Sequence, residues 1–514
     1  MITQIGLKNV RLFGSIGYNF DLAPLTIFCG TNSSGKSTIL KSLLLLRQSQ
    51  GMNEIYGTRP GTLRLTGSQI DLGNYSSLVT DNKYNRNVEI SLAVKDTMPR
   101  DLAEALARPK KVKLEFKDRQ PNIDYVLKAT FEFKASKRPI DTDEAGRISM
   151  IAPQGILRSV AFELTINKLP MVTWSLKSTL KGKDGNEYIL SLPVSEILRG
   201  DSFIRRLKRR PSKTDDILRV RTQLQGLLPS YVVAEGESDY KKRQQELRLP
   251  FYIDGSLNDF KMALSRIHYL APLRTAAKRY YLANYDVSVD LDPRGDFLPY
   301  VLGGAIAEPR VSNVPPRMKK IKKQSLSEAL NVWLYYLRTG KRLNKKSRKN
   351  EFAITTSKGS LVEIELKALK GTLKHSIADS GFGYSQVLPI LVRGLIAPPN
   401  STIIIEQPEL HLNPALQVRV ADFLISLTRA GKQVIVETHS EHIVNLVRVR
   451  TAKEEDRFLS SNSKIYFIDI EDGRPVIHNM NIDPDGTVPG WPFNFFGEAA
   501  ELTGELLRAQ KAHR

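Results

Sequence analysis

GTNSSGKST, residues 30–38, decides how this chain is read. It satisfies the spacing G-x-x-x-x-G-K-[ST], with Gly30, Gly35, Lys36 and Ser37 at the fixed positions. Glycines there let backbone N–H groups turn toward phosphate oxygens, and a following helix aims its N-terminus at the same charge. Lys36 would bridge the outer phosphates and Ser37 would hold Mg²⁺. The candidate nucleotide contacts are Gly30, Asn32, Ser33, Gly35, Lys36, Ser37 and Thr38. Average residue frequencies give the pattern by chance about two times in a hundred in a chain this long. Here it also lies between a strand-like run, YNFDLAPLTIFCG, and an apolar helical run, STILKSLLLLRQSQ.

A phosphate cradle needs an acid at the end of a neighbouring strand to hold the metal. In STIIIEQPELHLNP (401–414) the run Ile403–Ile405 ends in Glu406, which is well placed for that. The next position, where a general base is expected, is the amide Gln407. An amide orients water but cannot take its proton. Glu409 would substitute only if the turn at Pro408 swings it inward. QVIVETHSE ends another apolar run near Thr438, His439 and Ser440, and a polar residue at the C-terminal end of a parallel strand points into the ligand crevice. Between cradle and strands lies ADSGFGYSQVLPILVRGL, where Gly381, Gly383 and Ser385 make a polar turn before a helix from Gln386 onward. That is a second helix N-terminus able to face an anion, in a site completed by a second subunit.

Working outward, 88–94, 112–116, 125–134, 159–169 and 172–182 read as a meander of strands. Residues 195–265 turn polar and charged, with helical stretches such as DDILRVRTQLQGLL. SLSEALNVWLYYLRTG (325–340) reads as a helix stopped by Gly340, followed by two strands. From 380 onward apolar strands alternate with helices, the pattern of a parallel sheet covered on both faces. The expected class is α/β, a P-loop head split by a strand-rich and then helical insert. The expected divisions are an N-terminal lobe (1–95), the insert (96–265) and a C-terminal lobe with its tail (266–514).

Composition bounds the rest. Hydrophobic residues make up 41% and charged residues 25%, ordinary for a globular protein. No apolar run approaches the ~20 residues that span a bilayer, and Met1–Ile5 does not read as a signal peptide, so a cytoplasmic protein without membrane partners is expected. One cysteine excludes an internal disulfide and a multi-cysteine zinc site. The net charge of +22, from 76 Lys+Arg against 54 Asp+Glu, points to a polyanionic partner. The cations cluster at Arg205–Arg210, Arg317–Lys323 and from Lys341 to Lys349.

In order, NVRLF, GTNSSGKST, SGFGYSQ, IIIEQPELHLNP and ETHSE resemble the ABC-type ATPase heads of the RecF/Rad50/OLD group. In particular they resemble the compact ATPases of prokaryotic antiphage defence systems of the PARIS (AriA-like) and Septu (PtuA-like) kinds. LTGSQIDLGNYSSLV, YLAPLR and GWPFNFF fit the same subgroup, and the likeness covers roughly 1–95 and 265–500. The resemblance implies ATP and Mg²⁺ as cofactors, with Glu406 in place of the usual strand-end Asp. It implies that His439 senses the γ-phosphate and that Asn413 sits at a dimer-contact loop. Gly381, Gly383, Ser385 and Gln386 would reach the nucleotide of a partner copy, and Gln69 would link Mg²⁺ to the first lobe. It further implies a homodimer, with higher assembly such as a hexamer, and a separately encoded effector, a nuclease. The basic clusters would meet nucleic acid or a phage protein. Gln407 departs from the family pattern and predicts slow or partner-gated hydrolysis.

YFIDIEDG offers Asp469, Glu471 and Asp472 as a two-metal nuclease fragment, but the ~40 residues after it are too few for the βαβ domain such a nuclease needs. Two functions compete: a defence ATPase that controls a toxic effector, and a RecF-like DNA-repair or DNA-clamping ATPase. A transporter subunit fits less well, given the basic charge, the strand-rich insert and the long separation between Lys36 and Glu406.

Overall fold

The computed structural model describes residues 1–51, 60–112, 114, 120–136, 140–142, 148–150, 154–179, 187–196, 203, 217–234, 245–282, 292–296, 298–303, 309–343, 352–357, 361–367, 373–379, 382–491, 505 and 508. The chain forms two compact units, Met1–Asp21 with Thr38–Ile267, and Leu22–Ser37 with His268–Arg514.

The first unit is built on a ten-stranded sheet whose neighbours pair antiparallel. Its long strands alternate buried and open positions, as in Asn122–Ala135, where Tyr125, Leu127, Ala129, Phe131 and Phe133 are buried. That period of two packs one face and leaves the other to solvent. The sheet corrects one expectation. From Ile217 onward, DDILRVRTQLQGLL is not helical: Ile217–Gln225 and Leu228–Ala234 form a hairpin that turns at Gly226, where φ is +62°. Leu218, Val220, Thr222 and Leu224 are buried in alternation, so the apolar period is two rather than 3.6. The strand expected at 112–116 falls largely outside the described residues.

The second unit carries a six-stranded sheet. Its elements are β1 (Leu25–Gly30), α1 (Lys36–Gln50, which the division between units crosses), β2 (Ile267–Leu270), α2 (Leu326–Thr339), α3 (Phe382–Ile396), β3 (Thr402–Glu406), α4 (Pro414–Arg429), β4 (Gln433–Glu437), α5 (Glu441–Ala452), β5 (Ser463–Glu471) and β6 (Arg474–Met480). The order is β2-β3-β4-β1-β5-β6. β3, β4, β1 and β5 run parallel, and β6 closes the edge antiparallel to β5. Every residue of β3 and of β4 is buried, which is what continuous apolar runs demand of a parallel sheet. The architecture is the α/β, ABC-type P-loop head with an insert that the sequence led us to expect.

Local signals set the helix ends. Ser325 and Glu328 form a reciprocal capping box at the start of α2, and Gly340 (φ +69°) ends the helix. α3 begins at Phe382, four residues before the expected Gln386. Trp333 and Tyr336 of α2 pack with Phe423 of α4 in a core that also holds Ile403, Ile405, Val434 and Val436. Asp422, Tyr336 and Arg450 form a buried network tying α4, α2 and α5 together.

Candidate functional site: a phosphate cradle beside two strand-end carboxylates

β1 delivers the chain into the loop of residues 30–35. Gly30 has φ +133°, and a Cβ on it would lie 2.0 Å from the carbonyl oxygen of Ile468, its register partner on β5. Only glycine fits there. Ser33 (φ +62°) and Gly35 (φ +82°) supply the left-handed turns that bring successive N–H groups to one side. Thr31 donates through its hydroxyl to Asp469 Oδ1 at 2.9 Å, so the acid weighed as a nuclease fragment braces the loop instead.

Lys36 is buried, and its Nζ donates to the carbonyls of Thr31 (2.9 Å) and Gly30 (3.4 Å). Burial holds the ammonium below its ordinary range, opposed by the charges of Glu437, then Cys29 and Glu409. Ser37 Oγ donates to Glu437 Oε1 at 2.8 Å. Glu437 ends β4 directly beside Glu406, its partner in the parallel register. Glu406 is buried, and its Oε1 accepts from the Tyr269 hydroxyl at 2.9 Å. Burial, then the charge of Glu406, pushes the Tyr269 phenol up, so it stays a donor.

Past β3 the backbone turns sharply. Gln407 has φ +43°, and its N–H donates to the Glu437 carbonyl at 2.7 Å. The turn carries Glu409 inward. Its Oε2 accepts from Thr438 Oγ1 at 2.8 Å, and its Oε1 accepts from the His439 N–H at 2.6 Å. Burial raises the Glu409 carboxyl above the usual range, against the bonds from His439 and Thr438 and the charge of Arg274. The His439 ring is held down by burial and by Lys36, against a hydrogen bond to the Gly30 backbone. The neutral imidazole is therefore favoured.

The loop that follows is built by Asn413, which caps α4 by accepting from the Leu416 N–H at 2.9 Å. Gly383 at the start of α3 lies against His411 and Leu412 of this loop. Ser385 and Gln386 are buried within the unit, and Gln386 Nε2 donates to the Arg274 carbonyl at 3.4 Å. Gly381 lies outside the described residues. Gln69 belongs to the other unit, where its carboxamide oxygen is buried without a hydrogen-bond partner. Thr38, the last residue of the cradle motif, is buried in the first turn of α1.

The donor set fits ATP with Mg²⁺. A hydroxyl (Ser37) and two carboxylates (Glu406, Glu437) are hard oxygen ligands, and the glycine loop with Lys36 offers N–H groups and one cation to phosphate. When bound, the metal supplies charge neutralisation on the phosphates. Glu437, Tyr269 and Arg274 were not singled out from the sequence. The acid closing QVIVE and the arginine closing YLAPLR were the available signals.

The sequence matches the family model of the AAA ATPase domain over residues 1–202 and 307–444, well over half its length. The chain belongs to that family. No curated protein matches it. Among solved structures it is similar to an Smc head bound to the C-terminal winged-helix domain of ScpA, at 12% identity and TM-score 0.36, over 94% of this chain and 98% of that one. It is also similar to the SMC head domain from Thermotoga maritima, at 10% identity and TM-score 0.33, over 93% and 98%. A third is the Pyrococcus furiosus Smc head with an extended coiled coil bound to the C-terminal domain of ScpA, at 13% identity and TM-score 0.34, over 98% and 99%. This AAA ATPase domain thus places its P-loop, its strand-end acids and His439 around one end of one sheet. Among the described residues, no helix is long and apolar enough to cross a membrane.

Proposed function

We propose that the chain is an ATP-gated switch, a slowly hydrolysing ATPase that dimerises on nucleotide and controls a separate effector protein. The observation that carries this reading is the state of the acidic turn. Gln407 has no carboxylate to offer, and both oxygens of Glu409 are held by Thr438 and His439. Each of those oxygens keeps a lone pair for a water. With an amide at the usual base position, however, the chemistry falls to an acid three residues past Glu406, so slow hydrolysis that a partner or a second nucleotide speeds up is the reading. Lys36, Ser37, Glu406 and Glu437 would hold nucleotide and metal, Glu409 would handle the attacking water, and His439 would face the γ-phosphate. The start of α3 and the Asn413 loop, in contact at Gly383, would meet the partner copy's nucleotide. The resemblance to antiphage ATPases supports a sensor and scaffold role in defence, with a nuclease as the effector. The test is the oligomeric state and single-turnover hydrolysis of purified protein with ATP and Mg²⁺. A dimer or multiple of dimers that turns over slowly is expected. Protein that stays monomeric at micromolar concentration with and without ATP would refute the reading.

A second reading, a DNA-clamping ATPase, is favoured by one feature of the second unit. Arg342 donates through Nη2 to the Arg317 carbonyl, so two basic segments meet. Arg317, Lys319, Lys320, Lys322, Lys323, Lys341 and Arg342 are all exposed, and Lys319 pairs with Glu455 at 3.5 Å. The first basic cluster, 205–210, lies outside the described residues. Charge reversal at Lys320 and Lys323 should weaken nucleic-acid binding and lower its salt slope by about 2. Equal binding and an equal slope would leave the patch a solvated surface.

A further inference from the structure

Arg274 follows β2 by four residues and is 5% exposed, yet only one of its guanidinium nitrogens is hydrogen-bonded. Nη2 donates to the carbonyl of Glu406 at 3.0 Å. Nε and Nη1 are buried with no acceptor. An ionised group taken out of water costs several kcal/mol unless neighbouring charge offsets it. Here the offset is carboxylate charge. Burial lowers the guanidinium to about 10, and the largest opposing influence is Glu409, ahead of Tyr269 and Glu406. The backbone of Arg274 is pinned as well, since its carbonyl accepts from Gln386 in α3. A buried arginine organised by charge more than by hydrogen bonds does little for stability that an apolar residue could not do. Its position calls for another role.

We propose that Arg274 is a positioning residue for ATP hydrolysis: Nη2, bonded to the Glu406 carbonyl, fixes the start of the acidic turn and thereby the place of Glu409, three residues on. This rests on the reading of Glu409 as the group that handles water. Without Arg274 the turn would lose its anchor on the β2 side, and Glu409 would be left to its bonds from Thr438 and His439. The link through Gln386 ties the same arginine to α3, the helix whose start, in the function proposed above, would meet a partner copy. Arg274 acts through Glu406 and Glu409 and not on the nucleotide itself.

The experiment compares Arg274→Met, Arg274→Lys, Glu409→Gln and the two double variants. Affinity is read with a fluorescent ATP analogue and rate by single-turnover hydrolysis. Arg274→Met should keep its nucleotide Kd within about threefold while its rate falls about ten- to hundredfold, as misplacement of a reacting group does. Arg274→Lys should recover much of that loss because it keeps a cationic donor for the Glu406 carbonyl. In the Glu409→Gln background neither change should slow the reaction further, since the group they position is gone. Should Arg274→Met fail to fold, Arg274→Lys serves alone, with a severalfold loss beside Glu409 and none beside Gln. Full additivity of the losses, or parental hydrolysis in Arg274→Met, overturns the proposal while leaving Glu409 in its role. Parental hydrolysis in Glu409→Gln overturns both.

Discussion

Replacing Glu409 by glutamine separates the chemistry of the acidic turn from its architecture. The carboxylate accepts the Thr438 hydroxyl at 2.8 Å and the His439 N–H at 2.6 Å. A glutamine of the same shape keeps an oxygen for the His439 N–H, which can only donate. It turns its NH₂ to Thr438 Oγ, which can rotate and accept. The geometry therefore survives, and what disappears is charge assistance, about 2 kcal/mol over two bonds. Burial works the other way, because it raises the carboxyl and so disfavours the charged form. A folded pKa above the unfolded value means that the folded state binds more protons in that window. Stability from this group is then full below the unfolded pKa and falls as pH rises through the folded one. Glu409→Gln removes that fall, so the melting temperature at neutral pH should stay within a few degrees of the parent or rise slightly. Hydrolysis should respond quite differently. Loss of a general base costs about 10²–10⁴ in rate, or about 3–5 kcal/mol of barrier. Rapid-quench single turnover with labelled ATP reads the rate, and a fluorescent analogue checks that binding is intact. The parent's acidic limb should lie above the ordinary carboxylate range and vanish in the variant. A variant that hydrolyses within twofold of the parent, with nucleotide bound, would refute the assignment.

Three further outcomes follow from the same geometry. Gln407→Glu places a carboxylate on the residue after Glu406 and should speed single turnover, by up to about 10²–10⁴; a slower variant would mean that like charge beside Glu406 dominates. Lys36→Ala removes the cradle's buried cation and should weaken ATP binding by at least about a hundredfold, at roughly 1.5–3 kcal/mol per charged hydrogen bond, with calorimetry as the check and unchanged affinity as the refutation. Gly30→Ala sets a Cβ 2.0 Å from the Ile468 carbonyl at φ +133°. It should cost about 2–4 kcal/mol, and an unaltered melting temperature would contradict the described contact between β1 and β5.

The parts of this site that could be read from the sequence are those in which a residue's own backbone does the work. Gly30 and Gly35 signal a phosphate loop because left-handed turns and close strand approach select glycine locally. Ile403–Ile405 and Val434–Val436 announce parallel strands because burial on both faces leaves no polar position. Misreading came where two periods fit one segment. Residues 219–225 place Arg and Gln at every other position, and only the hairpin partner decides that the period is two. Buried charge was legible least. Glu437 carries no signal of its own beside Thr438 and His439, and its bond to Ser37 spans 400 positions. Arg274 looks like any surface arginine until Glu406, 132 residues on, is found against it. A charged side chain costs too much to bury unless distant parts of the chain compensate it. The energetics of such a residue therefore belong to the assembled site, and its role becomes visible only when that site is in view. In this domain the P-loop identifies what is bound. In the function proposed above, how fast it is consumed would turn on Glu409 and Arg274, which only the folded chain brings to one turn.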